Sequence, residues 1–145
     1  MPKITGGKAH AARLKFMVSA EAQRQVGAAL FAGGDLVKDE AQGSITRGSA
    51  GGQKGGKHQH VRSLPGQPPN EEFGGLRRDI ENVQLELLRV EVSSNAPYAA
   101  ALEFGTSKMA ERPYMRPAVA ATRDAVTELV RRAVAHIAKG GKVTG

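Results

Sequence analysis

The sequence predicts an α+β domain, with a small antiparallel sheet covered on one face by two long helices, one in the N-terminal half and one at the C-terminus. Three observations carry this prediction. Apolar residues fall at helical spacing from Val26 to Ala41 and again from Val119 to Ile137. Between them, Val83 to Val92 alternates apolar and polar residues with the period of a half-buried strand. Two amphipathic stripes and one alternating segment must bury their apolar faces against each other, and helices layered on a sheet do this. At 145 residues, one domain spanning 1–145 is expected.

The elements follow in chain order. Arg13 to Val18 fits a short helix or a strand, because the run is too short for its period to decide. Ser19 is placed to cap a helix, and Glu21 suits the positive end of that helix's dipole. Val26, Leu30, Gly33/Gly34, Val37 and Ala41 then mark the apolar stripe of a helix of about 20 residues. Gly33-Gly34 within it implies either a kink or a place where a Cβ would not fit. Gly43 is expected to end the helix.

Residues 43–70 read as a flexible loop. Six of the chain's 18 glycines lie between Gly43 and Gly56, and the segment carries Arg47, Lys54, Lys57 and Arg62 with no acid before Asn70. The alternating segment slips phase at Leu87-Leu88, which reads as a bulge or as a join between two strands. Ser93-Ser94-Asn95 turns the chain, Pro97 opens a short helix over 98–104, and Gly105 closes it. Pro117 suits the first turn of the last helix, which Gly140-Gly141 ends.

Several chemistries are excluded or unsupported. There is no Cys, so neither a disulfide nor a thiolate zinc site exists. No run of about 18 apolar residues is present to span a bilayer, and no secretion signal is expected. His58-Gln59-His60 lacks a third ligand nearby, and His136 needs no role beyond favouring a helix C-terminus. Neither a nucleophile elbow nor a phosphate-binding loop appears, and the adjacent Glu71-Glu72 are poorly placed as facing catalytic acids. No catalytic, metal or cofactor site is therefore expected, and the chain is not read as an enzyme. The net charge of +7 favours polyanionic partners, and any affinity for DNA is expected to be non-specific and salt-sensitive.

Rings and prolines gather in one place. Tyr98, Phe104 and Tyr114 are three of only six aromatic residues, and they lie among Pro97, Pro113 and Pro117. Such a cluster builds either a packed corner or an interface. Tyr98 and Phe104 fit either role. Tyr114 and Met115, held between two prolines in a connecting loop, read as an exposed contact, with Arg116 beside them. Arg112 and Arg116 fit either a DNA channel or an acidic neighbour.

Ala96-Pro97-Tyr98, Glu103-Phe104-Gly105-Thr106 and Arg112-Pro113-Tyr114-Met115-Arg116-Pro117-Ala118 occur in that order, after Gly66-Gln67-Pro68-Pro69 and Phe73-Gly74-Gly75-Leu76-Arg77-Arg78-Asp79-Ile80. This series resembles the neck, or tail-completion, proteins of long-tailed bacteriophages (minor tail protein Z type). Phe73 and Asp79 stand where that family usually has Thr and Ser. The resemblance implies a virion structural protein without enzyme activity or cofactor, located at the head–tail junction and made in the host bacterial cytoplasm. It implies a ring, six-fold, around the DNA channel. The neighbours would be head-closure, tail-terminator or tail-tube proteins and packaged DNA, with no membrane. On this reading Phe104, Gly105, Thr106, Arg112, Tyr114, Met115 and Arg116 form a subunit interface, and Arg47, Lys54, Lys57 and Arg62 face DNA. The alternative is a small basic protein that binds nucleic acid non-specifically outside any virion. That reading requires cations gathered on one ordered face with stacking rings among them, whereas here the cations run from Lys3 to Lys142.

Overall fold

A computed structural model describes residues 5–48, 63–70 and 75–140. Its elements are α1 (Gly7–Met17), α2 (Ala20–Arg47), α3 (Gly75–Arg78), β1 (Ile80–Glu86), β2 (Arg89–Ser94), α4 (Ala99–Phe104) and α5 (Met115–Ala138). The expected α+β architecture is present: a two-stranded antiparallel sheet packs against α2, and α5 lies along α2. Among the described residues no helix is long and apolar enough to cross a membrane.

Ser19 separates α1 from α2. Its hydroxyl donates to the Phe16 carbonyl at 2.6 Å and accepts from the Ala22 amide at 3.2 Å, so one side chain ends the first helix and caps the second. The short N-terminal run is thus helical.

Helix α2 does not stop at Gly43. It continues to Arg47 and ends at Gly48, whose φ of +63° favours glycine. The expected loop over 43–70 is corrected accordingly: residues 43–47 are helix. The reason is packing. Ile45 is fully buried and extends the Val37–Ala41 stripe by one more turn, which outweighs the intrinsic cost of a helical glycine, about 1 kcal/mol. Residues 49–62, with Lys54, Lys57, Arg62 and the two loop histidines, lie outside the described residues. The return segment is anchored. The Gly66 amide donates to the Glu111 carbonyl at 2.9 Å, and Ser63 and Pro69 are buried.

The glycines within α2 serve close approach rather than a kink. A Cβ on Gly27 would collide with the Leu87 carbonyl oxygen, and one on Gly33 would stand 2.9 Å from Val126. The hairpin turn and α5 therefore approach the helix backbone at these points. Gly43 faces only the mobile end of the Arg47 side chain. Two substitutions separate the cases. Gly27→Ala is expected to destabilise by roughly 1–3 kcal/mol, because a backbone must move. Gly43→Ala is expected to stabilise by up to about 1 kcal/mol. Urea midpoints of the two variants and the parent check both signs.

The sheet is a hairpin joined by Leu87-Leu88, so the phase slip marks a turn between two strands. Gln84 pairs with Val90 but Glu86 with Arg89, leaving Leu85 as an extra residue on β1. The core gathers Ala41, Ile45, Leu76, Ile80, Ala96, Tyr114 and Ala118, with Val37, Val92, Leu102 and Met115 packed around them.

Candidate subunit-contact site

Residues 96–118 lead from the short helix α4 to the start of α5. Gly105, with φ +75°, ends α4, and its amide donates to the Ala101 carbonyl. The loop that follows is tied down at close intervals. The Thr106 amide donates to the Met109 carbonyl at 2.8 Å, and the Arg112 amide donates to the Leu102 carbonyl at 2.6 Å.

Glu103 organises this region. It is 5% exposed. Its carboxylate accepts from three successive backbone amides at the start of α5: Tyr114 at 2.9 Å, Met115 at 3.0 Å and Arg116 at 2.8 Å. A helix leaves its first four amides without internal partners. Here three of them meet one carboxylate, and the fourth position is Pro117, which has no amide hydrogen. The N-terminus of α5 is therefore fully satisfied by Glu103 and Pro117 together, and the negative charge lies at the positive end of the helix dipole. Burial acts to raise the Glu103 pKa. The three amides and the Arg116 side chain outweigh it and hold the carboxyl below its usual range.

Arg116 completes the clamp. Its Nε donates to Glu103 Oε1 at 3.1 Å, and its terminal nitrogen donates to the Glu103 carbonyl at 2.6 Å and to Glu111 Oε2 at 2.8 Å. Its guanidinium lies over the Phe104 ring, 5.2 Å from the centroid.

The three rings divide, and Tyr114 departs from its expected role. Tyr114, expected at an exposed contact, is fully buried in the domain's own core. Its hydroxyl donates to Ser94 Oγ at 2.7 Å, and burial holds the phenol above its ordinary pKa. Its flanking prolines set the entry to α5 rather than present the side chain outward. Met115 is half-buried against the same core. In contrast Phe104 is 68% exposed and Tyr98 is 50% exposed. Thr106 and Arg116 are exposed, while Gly105 and Arg112 are half-buried. Of the expected interface set, Phe104, Thr106 and Arg116 are thus exposed, with Arg116 against Phe104, and Tyr114 is buried. Sequence reasoning missed Glu103 as the organising residue. The available signal was an acid preceding a helix start that lacks Ser, Thr, Asp or Asn at its cap.

Of the residues expected to face DNA, Arg47 is exposed in the last turn of α2 and paired with Glu40 at 2.6 Å. The other three lie outside the described residues. No group of His, Asp and Glu able to hold a metal occurs among the described residues. Comparison with protein-family models, with curated proteins and with solved structures returns no match for this chain.

Proposed function

We propose that this chain is a structural subunit of the head–tail neck of a long-tailed bacteriophage. In this reading it forms a ring, six-fold, that completes the tail at the head and surrounds the DNA channel. The series of motifs from Gly66 to Ala118 suggests this reading. The observation that carries it is the exposed Phe104 ring at the end of α4, beside the clamp that the buried Glu103 forms with Arg116. An apolar ring held outward on a rigid support loses little entropy on docking, and aromatic and Arg residues dominate contact energies. Arg47, Lys54, Lys57 and Arg62 are assigned to the channel side, where they would neutralise phosphates without reading sequence.

Phe104→Ser tests the reading. Monomer stability should change by less than about 1 kcal/mol, since the ring is largely exposed and lies under the Arg116 guanidinium. Assembly should weaken by roughly 30-fold, the equivalent of one hot-spot residue. Native mass spectrometry of parent and variant over a concentration series measures both the ring and its loss. A parent chain that remains monomeric at its solubility limit, alone and with neck partners, would overturn the proposal.

A further inference from the structure

Past the buried Ile80, strand β1 turns a half-buried polar residue, Asn82, inward and leaves its aliphatic residues exposed. Asn82 and Gln84 face α2. The Asn82 side-chain amide donates to the Phe31 carbonyl and to Asp35 Oδ1, both at 2.9 Å, and Gln84 lies against Gly27. Val83, between them, points the other way and is 42% exposed, and Leu85, the extra residue of the bulge, is 47% exposed. Glu81 lies on the same outer face, and Glu91 pairs directly opposite Val83. Neither Glu81 nor Glu91 is in an ion pair among the described residues. At the tip Glu86 stands opposite Arg89 in the register. The outer face of the hairpin is thus an aliphatic strip with unpaired acids on a chain of net charge +7.

Helix α1 carries the complementary surface. It buries none of its own residues. One side, with Ala9, Ala12 and Phe16, borders a groove against Lys139 and Gly140 at the end of α5. The opposite side presents Gly7, Ala11, Leu14 and Val18, spaced so that they form one continuous stripe. Leu14 is 49% exposed and Val18 74% exposed. Lys8 and Lys15 border this stripe, and no acid occurs between Thr5 and Val18. The lengths agree: Gly7 to Met17 spans about 15 Å as helix, and Glu81 to Leu85 spans about 14 Å as strand.

We propose that α1 of one copy lies across the outer face of the β1–β2 hairpin of a second copy. Leu14 and Val18 pack on Val83 and Leu85, and Lys8 and Lys15 meet Glu81 and Glu91. In its own chain α1 packs on α5 and α2, which leaves this stripe open. The two surfaces differ, so the contact is head-to-tail and either closes into a ring or runs on as a filament. The proposal rests on the ring reading for closure alone.

Charge reversal tests it with the full chain. One variant carries Lys8→Glu with Lys15→Glu, and the other carries Glu81→Lys with Glu91→Lys. All four side chains are exposed, so circular dichroism should show both variants folded. In sedimentation velocity over a concentration series, each variant alone should need at least about tenfold more protein to assemble, because like charges then face each other. An equimolar mixture should recover parental assembly, since each copy then meets an opposite charge on both sides. Variants that assemble like the parent, or a mixture no better than its components, overturn the contact and leave the ring reading standing. Assembly that follows the charges but yields open chains or dimers supports the contact and overturns the ring. A parent chain that never assembles overturns both.

Discussion

Glu103→Gln should lower the stability of the monomer by roughly 3 kcal/mol at neutral pH, about 10 °C in melting temperature for a chain of this size. The carboxylate accepts three backbone amides and an Arg116 bond at once. An amide side chain keeps one acceptor oxygen and turns an NH2 group toward donors, so buried amides lose their partner and the helix dipole loses its counter-charge. The pH dependence provides the internal control. Because the folded carboxyl is held below its unfolded value, its contribution is complete above the ordinary carboxylate range. It is lost as pH falls through the depressed folded value. Urea unfolding from pH 7 to pH 2 should therefore show the parent converging on the Gln variant in acid. A constant gap between the two at every pH would show that the carboxylate charge is not what holds α5.

Tyr114→Ala should remove about 3–5 kcal/mol, a large share of the roughly 5–15 kcal/mol that holds a domain folded, and so lower the melting temperature by roughly 10–15 °C. The side chain is fully buried among Ile45, Leu76, Ile80 and Ala118, so truncation opens a cavity that fixed helices cannot close. Tyr114→Phe isolates the polar part. It removes only the bond to Ser94 and should cost about 1 kcal/mol. Calorimetry on both variants distinguishes a core ring from a surface ring. If Tyr114→Ala melts within a degree or two of the parent, the ring does not sit in the core.

Much of the architecture is legible in the sequence because it rests on local signals. The Ser19 cap, the stripe of α2, the hairpin and the Gly105 stop each follow from spacing and residue type. Errors arise where a distant contact decides. Gly43 reads as a terminator until Ile45 is known to be buried two residues later. The phase of β1 reads from hydrophobicity as Val83 and Leu85 inward, yet the Asn82 bonds to Phe31 and Asp35 fix the opposite face, and those partners are about fifty positions away. Tyr114 is misassigned for a similar reason. Pro113 and Pro117 around Tyr114 suggest a stiff exposed loop running up to the last helix, but the Glu103 clamp starts that helix at Met115 and turns Tyr114 into the core. A local capping search spans three residues, whereas Glu103 acts across eleven.

Glu103 and Phe104 are adjacent in the chain, and Arg116 touches both. The exposed ring and the buried anchor of this corner are thus carried by neighbouring residues, joined through one peptide bond. Any tension applied to the Phe104 side chain is passed directly to the carboxylate that holds α5, and through its three amides to the axis of a 24-residue helix. A pull along that axis loads three charge-assisted bonds in parallel, whereas a pull that peels the loop sideways loads them one after another. The corner should behave as a mechanical fastener with a strong and a weak direction, a property that single-molecule extension from position 104 would read as two distinct rupture forces.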